Sequence, residues 1–457
     1  MLTFFSFLTT LAVLITVHEF GHFQVAKWCG IKVLRFSIGF GKPLFKRMIG
    51  KDKTEFVIAI LPFGGYVKML DEREMTDEER EVLNPFDLEH AFNRQSVWKR
   101  MAVVMAGPIA NLLLAVLLYC ALFISGITGL KPILGEVVEG SPAALANLRK
   151  GDSITKVDGT TVQTWSDVHW IMLKKTMGSS FVDIETTHDD KEVHLHHVLL
   201  NGLDKNDLEG DFISKLGFKP FQPEMIAKVG EVVSGSAADK AGIKIGDIIL
   251  SVDDLAINHW ENFVAAVRQN PGKDLNLKIL RGDSQISLNI IPECTIEDGK
   301  KVGHIGAAYH VNESEINNML INIKYDPLSA FSKAIEKTWD TSIFSLQMLG
   351  KMLMGTTSLK GISGPVTIAS YAGQSANLGF KPFVGFLALI SISLGVLNLL
   401  PVPVLDGGHL LYYIVEILMG RPVSVKTMEI GQRIGLTLLG FLMVCALYND
   451  INRLITG

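Results

Sequence analysis

The residues best suited to catalysis lie in the segment His18-Glu19-Phe20-Gly21-His22, an HExxH motif. On a helix, residues i and i+4 share one face, so the imidazoles of His18 and His22 can bind one metal ion. Glu19 lies beside them, where its carboxylate can take a proton from a water molecule that the metal activates. The motif therefore predicts a zinc site with Glu19 as the catalytic base.

A catalytic zinc ion needs a third protein ligand and an open position. Residues 23–30 contain no His and no carboxylate, so the third ligand must come from elsewhere. Asp406 is an acid within an otherwise apolar stretch, and the prolines before it and glycines after it would interrupt a helix there. We expect Asp406 to be the third ligand. The alternative is an acid that reaches water from the end of a helix.

These residues fall within or beside long stretches that lack Asp, Glu, Lys and Arg, at residues 1–18, 101–130, 382–405 and 434–449. A membrane-spanning helix needs about 20 apolar residues. The sequence therefore predicts four transmembrane helices, at residues 1–25, 98–129, 381–419 and 430–450. The alternative is a set of buried helices in a large soluble core.

Basic residues are concentrated in two connections between the predicted spans. Residues 26–53 contain eight Lys or Arg and one acid, and Arg421, Lys426 and Arg433 lie between the third and fourth uncharged stretches, 382–405 and 434–449. The positive-inside rule places both connections in the cytoplasm. The segment between spans two and three, and both termini, are then expected on the outer side; the family resemblance given below implies a bacterial inner membrane, with the periplasm on that side. A net charge of −4 argues against a nucleic-acid partner.

The segment between spans two and three contains a duplication. Residues 135–168 and 230–263 align without a gap at an offset of 95 residues, with 14 identities in 34 positions. Each copy has the pattern of a strand, a short helix, a Gly-Asp turn, a strand and a further helix. This pattern resembles a bacterial PDZ domain, and it predicts tandem domains at residues 130–222 and 223–311.

PDZ domains bind extended peptides by adding a strand to an open sheet edge. The resemblance implies a carboxylate-binding loop in which a glycine lies between two apolar residues. Gly217, between Leu216 and Phe218, and Gly306, between Ile305 and Ala307, are the candidates for substrate binding. The alternative is that both are ordinary glycine turns.

Three motifs together resemble the site-2 protease family of intramembrane zinc metalloproteases. They are HExxH in the first span, Gly107–Asn111 as GxxxN in the second, and residues 398–408 as NxxPxPxLDGG in the third. The resemblance implies that His18, His22 and Asp406 bind one zinc ion and that Glu19 is the catalytic base. It also implies that Asn398 holds the substrate backbone near the metal, and it gives no role to His409.

Two further regions fit this resemblance. Residues 26–97 form a predicted cytoplasmic loop whose apolar, strand-like part is expected to be a β-hairpin or small sheet that dips toward the membrane. In the family such a loop is thought to pair with an unwound substrate; the alternative is a sheet with no substrate contact. Residues 322–380 are expected to contain a periplasmic amphipathic helix and a linker, with apolar residues at helical spacing over 327–354.

The predicted fold is thus a multi-pass α-helical membrane protein with four spans, a membrane-associated β-hairpin region and two periplasmic PDZ domains. The expected activity is zinc-dependent cleavage of transmembrane segments of single-pass membrane proteins in the lipid bilayer. The family resemblance suggests a pre-trimmed anti-sigma factor and remnant signal peptides as substrates. Two alternatives stay open, a membrane metal transporter and a catalytically inactive PDZ scaffold.

Overall fold

The computed structural model describes residues 1–50, 52–76, 85–176, 178–188, 192–200, 211–222, 226–297, 300–310 and 317–456. Contacts divide the chain into two compact units. The first unit contains both chain ends, within residues 1–128 and 322–457. The second contains the duplicated segment, within residues 129–201 and 213–321.

Among the described residues, four helices are long and apolar enough to cross a membrane. They are α1 (Leu2–Trp28), α3 (Val97–Ser125), α11 (Phe380–Asn398) and α13 (Val425–Thr456). A short helix, α2 (Pro85–Glu89), precedes α3. After α11 the chain leaves helical geometry and resumes as α12 (Asp406–Met419). The predicted third span, 381–419, therefore contains two helices with a break between them.

Helix α3 is central in the first unit, with α1 and α11 packed against it. A Cβ at Gly21 would lie 2.8 Å from Cβ of Ala110, so small residues let α1 and α3 approach closely. On the α11 side, Ala115 and Ala388 are fully buried, and Ser391 Oγ donates a 2.7 Å hydrogen bond to the carbonyl of Asn111. This arrangement holds α3 tightly between the two neighbouring helices.

The cytoplasmic loop of the prediction contains two long antiparallel strands, β1 (Val33–Ile49) and β2 (Thr54–Met69). Both strands bend, because residues 33–38 pair with 65–69 on one side and with 55–58 on the other. Residues 43–49 then pair with 54–59 at the outer edge. A cluster that includes Phe23 of α1 and Phe36 of β1 fixes the inner part of the sheet beside α1.

The second unit repeats one topology. The first copy contains α4 (Pro142–Leu145), β4 (Ser153–Val157), β5 (Thr160–Thr161), α5 (Trp165–Thr176), β6 (Phe181–Thr187) and β7 (Val193–Leu199). The second contains α7 (Ala237–Lys240), β9 (Ile248–Val252), β10 (Leu255–Ala256), α8 (Trp260–Gln269), β11 (Leu275–Arg281) and β12 (Ser284–Ile290). Their sheets have the same order, β5-β4-β6-β7 and β10-β9-β11-β12.

The remaining described α-helix and strands are short. They are β3 (Ile127–Leu130), α6 (Phe212–Lys215), β8 (Val229–Val232), β13 (Glu293–Glu297), β14 (Lys300–His304), β15 (Ala307–Tyr309) and β16 (Leu320–Ile323). Among these strands, β15 pairs with β8 and β13 pairs with β14.

The predicted amphipathic region forms α9 (Pro327–Leu353), followed by α10 (Pro365–Asn377). The buried face of α9 consists of small residues, Ala330, Ala334, Thr338 and Thr341. Four bulky residues of the predicted apolar face are instead exposed: Phe331, Ile335, Leu346 and, at 66%, Trp339. Small residues occupy the buried positions because they allow α9 to pack closely against α3.

Candidate metal centre and active site

The HExxH imidazoles and Asp406 converge at one point. His18 and His22 are one helical turn apart on α1 and both are buried. Their Nε2 atoms are 3.2 Å apart, and Oδ2 of Asp406 lies 3.2 Å from Nε2 of His18 and 3.5 Å from Nε2 of His22. Asp406 reaches them from the first residue of α12.

These separations fit a tetrahedral metal ion. Ligands at about 2.0–2.1 Å from a tetrahedral zinc ion are about 3.3 Å from one another. Within the part of the chain that the structure describes, this is the one group of three His, Cys, Asp or Glu side chains found close enough to hold a metal. Two imidazoles and one carboxylate are also a usual donor set of catalytic zinc sites, with a fourth position open.

The outer nitrogens of both imidazoles contact helix α3. Nδ1 of His22 lies 2.8 Å from the carbonyl of Val103, to which it donates. Nδ1 of His18 lies 3.2 Å from the side-chain amide of Asn111. A contact at Nδ1 fixes the ring and leaves Nε2 available for a metal ion.

Gly107 provides the space between these two contacts. A Cβ at position 107 would lie 2.7 Å from Cε1 of His22 and 2.8 Å from Cε1 of His18. Carbon atoms pack at about 3.5–4.0 Å. Any side chain at this position of α3 would therefore displace the imidazoles.

Asp406 is positioned by the break between α11 and α12. Val404 has a φ of 134°, a strained conformation for a β-branched residue. The two residues after Asp406 must be glycines because the start of α12 lies against this loop. A Cβ at Gly408 would lie 2.6 Å from Cα of Pro403, and one at Gly407 would collide with the carbonyls of Leu399 and Leu400.

The metal-ligand group lies in a cavity of about 370 Å³ in the first unit. Glu19 lines this cavity beside the two histidines, together with the end of β2 from Tyr66 to Met69. Strand β2 approaches α1 very closely, since a Cβ at Gly65 would lie 2.9 Å from Cγ2 of Ile15 and 3.0 Å from Cγ of Glu19. The cavity thus contains ligand atoms, a carboxylate and the edge of a strand.

The structure places the other predicted site residues elsewhere. Asn398 is the last residue of α11, eight positions before Asp406, and it is not among the residues that line this cavity. Gly217 and Gly306 lie in the second unit with φ of 92° and 70°. A Cβ at Gly217 would lie 2.6 Å from Cβ of Ser141, and one at Gly306 would lie 2.8 Å from Oγ of Ser236.

Other residues of the cavity were not identified from the sequence. His409 lines it from α12, one turn after Asp406, and Arg73 lines it with its ion-pair partner Asp71. The spacing of His409 from Asp406, i to i+3 on one helix, was a usable signal. No comparable pattern pointed to Arg73.

Comparison with known proteins agrees with this geometry. The model of peptidase family M50 matches residues 6–442. The chain is 42% identical over 450 residues to the regulator of sigma-E protease RseP of Escherichia coli K12, covering 98% of both proteins. It is 40% identical over 451 residues to protease RseP of Yersinia pestis, again covering 98% of both. Members of family M50, the site-2 proteases, are zinc-dependent. The chain belongs to peptidase family M50 and is a membrane zinc metalloprotease.

Proposed function

We propose that the protein cleaves a peptide bond within the transmembrane segment of a single-pass membrane protein, with zinc held by His18, His22 and Asp406. The observation that carries this proposal is the near-equal separation of their three ligand atoms, 3.2–3.5 Å, in a cavity that also contains Glu19. Bound zinc would polarise the scissile carbonyl and make a water molecule more acidic.

Glu19 acts as the general base in this proposal. Its carboxylate takes a proton from the attacking water and delivers it to the nitrogen of the leaving amine. Glu19 is adjacent to the ligand His18 but outside the group of three ligands, so its carboxylate is available for proton transfer.

The substrate backbone is presented by strand β2. A helical substrate must unwind before a peptide bond can reach the metal, and its freed N–H and C=O groups then need partners inside the membrane. Residues 65–69 pair with β1 on one side only among the described strands, and Tyr66 to Met69 line the cavity. An unwound substrate can therefore add to this edge, and Asn398 is proposed to hold its backbone nearby.

A direct test is co-expression with tagged single-pass membrane proteins. The relatives are named for the regulation of sigma-E, so we propose an anti-sigma factor that has already been shortened outside the membrane, and remnant signal peptides, as substrates. The wild type should release a smaller fragment, and Glu19→Gln should not. A fragment that still forms with Glu19→Gln would overturn the proposed role of Glu19.

The duplicated unit is proposed to be a periplasmic pair of PDZ domains that controls substrate access. In the second copy, Trp260, Val264 and Arg268 line one side of a groove whose other side includes Ile305 and Gly306. A groove between a helix and a strand is where a PDZ domain adds a peptide strand. Two mechanisms are open, exclusion of bulky substrates and capture of a newly formed C-terminus.

A variant in this groove separates the two mechanisms. Substitution of Gly217 or Gly306 is unsuitable, because Ser141 and Ser236 occupy the space a side chain would need. Val264 is 36% exposed on α8, so Val264→Glu should block the groove and keep the fold. Normal cleavage of trimmed substrate by Val264→Glu would support exclusion, and loss of that cleavage would support capture.

A variant that lacks residues 132–311 tests the gating role itself. It should keep zinc and cleave untrimmed substrates as well. Loss of all cleavage with zinc retained would contradict gating.

A further inference from the structure

One face of α3 supports the two histidine ligands. Val103, Gly107 and Asn111 are spaced four residues apart, so they lie along the same side of the helix. The carbonyl of Val103 accepts from His22, Gly107 leaves room for both rings, and Asn111 contacts His18. Of these, Asn111 is the one that acts through its side chain.

The surroundings of Asn111 define what this side chain can do. The residue is 0% exposed, and its Nδ2 lies 3.2 Å from Nδ1 of His18. Its Oδ1 has no hydrogen-bond partner among the described residues. A buried amide normally has partners for both of its ends. In the described part of the chain, the amide of Asn111 has one such partner, Nδ1 of His18.

The chemistry of the ring determines the direction of this hydrogen bond. Nε2 of His18 faces His22 and Asp406, so a metal ion there would bind Nε2 and leave the ring proton on Nδ1. A protonated Nδ1 needs an acceptor. Amide oxygen and nitrogen are interchangeable by a half-turn of the side chain. In that orientation Oδ1 of Asn111 accepts from Nδ1 of His18.

We propose that Asn111 is a positioning residue for the zinc ligand His18, acting as the acceptor that holds its ring in the tautomer with Nε2 free for the metal. The inference rests on the proposed zinc site. It predicts that removal of the acceptor weakens zinc binding although Asn111 never touches the metal. Loss of such an outer partner typically weakens metal binding by about 10–100-fold.

The test is a zinc competition on the purified full-length protein, in which a chelator is titrated and retained zinc is measured. Asn111→Leu should lose zinc at about 10–100-fold lower chelator concentration than wild type. Asn111→Asp, which keeps an acceptor oxygen, should retain zinc as wild type does. Ser391→Ala is the matched control, because it removes a hydrogen bond to the backbone of Asn111 and leaves the amide in place.

The outcomes distinguish this inference from the zinc site itself. If His18→Ala retains zinc fully, the proposed site is wrong. If His18→Ala loses zinc and Asn111→Leu binds it as tightly as wild type, the role of Asn111 is wrong. Equal losses of zinc affinity in Asn111→Leu and Asn111→Asp would also overturn the role of Asn111, because loss of the acceptor oxygen would then not explain the weaker binding. Should Asn111→Leu fail to fold, Asn111→Ala removes the same acceptor without added bulk.

Discussion

The guanidinium of Arg100 lies 2.6 Å from the carboxylate of Glu416 and joins the first turns of α3 to the later part of α12. The side chains are 8% and 16% exposed, and the guanidinium also lies 4.9 Å from the ring centre of Tyr413. Because α12 begins with Asp406 and α3 supports both histidines, this ion pair connects the two sides of the metal centre.

Breaking this pair should destabilise the protein. Removing one partner leaves a buried, unpaired charge, which costs about 3–5 kcal/mol. We expect Glu416→Gln and Arg100→Met to lower the unfolding temperature, as measured on the purified protein. The exchange of both residues, Arg100→Glu with Glu416→Arg, should recover part of the loss. A double variant less stable than both single variants would show that the pair is not the cause.

Substitution of Gly107 should reduce zinc binding although no ligand residue is replaced. In Gly107→Ala the new methyl group would lie 2.7–2.8 Å from the imidazole carbons of His22 and His18, so the rings must move apart. We expect a large loss of bound zinc, measured by metal analysis. Gly440→Ala on α13 is the control, since no atom lies within 4 Å of the added carbon there. Full zinc content in Gly107→Ala would contradict the observed packing.

Substitution of Gly65, unlike that of Gly107, should reduce proteolysis and leave zinc bound. A Cβ there would press on Ile15 and on Cγ of Glu19, outside the group of three ligands. We therefore expect Gly65→Ala to retain zinc and to lose proteolysis by about an order of magnitude or more, because a small displacement of a catalytic group is costly. Loss of zinc in this variant would mean that β2 supports the metal ligands as well.

The second copy of the duplicated unit should lose stability in acid through Asp247. Burial opposes ionisation of this carboxyl, but the bidentate contact with Arg281, at 2.8 Å for both bonds, lowers its pKa below the ordinary 3.8. A lowered pKa in the folded state stabilises the protein above pH 3.8, and this contribution is lost as the pH falls through the folded value.

Hydrogen exchange of the full-length protein between pH 5 and pH 3 measures this effect. Amides of β9 and β11 should lose protection as the pH falls, and Asp247→Asn should be less protected at pH 5 and change less with pH. Asp283→Asn, at an exposed turn, is the control and should behave as wild type. An unchanged pH profile in Asp247→Asn would assign the acid response to another group.

Membrane orientation can be tested by labelling single cysteines in intact cells. The charge asymmetry predicts residues 30–95 in the cytoplasm and residues 130–380 outside. Native Cys294 is exposed in β13, so an impermeant reagent should label it without lysis. Thr76→Cys in a background without the other cysteines should be labelled after lysis only. Labelling of position 76 in intact cells would reverse the proposed orientation.

The convergence of His18, His22 and Asp406 could be predicted because short motifs identify these three residues. HExxH fixes two ligands by helical spacing, and an acid between prolines and glycines in an apolar stretch identifies Asp406. The supporting contacts could not be predicted in the same way. The partner of His22 is the backbone carbonyl of Val103, 81 residues away, and any residue has such a carbonyl.

For the strands, too, the sequence predicts the elements but not their long-range contacts. Apolar alternation and glycines predict a hairpin or small sheet in residues 31–68, and the structure has β1 and β2 there. In the structure, residues 33–38 pair with 65–69 on one side and with 55–58 on the other. This register joins distant parts of the two strands, and the local sequence pattern does not specify it. In α9 the apolar spacing predicts a helix correctly, but packing against α3 selects the small residues for burial.

The separation of the ligands along the chain has a consequence for biosynthesis. Asp406 follows His22 by 384 residues, with the duplicated unit made in between. Synthesis from the N-terminus delivers the two histidines to the membrane long before Asp406, the proposed third ligand. On the proposed ligand set we therefore expect the nascent enzyme to be inactive during its own insertion, and proteolysis to begin when Asp406 of α12 joins His18 and His22.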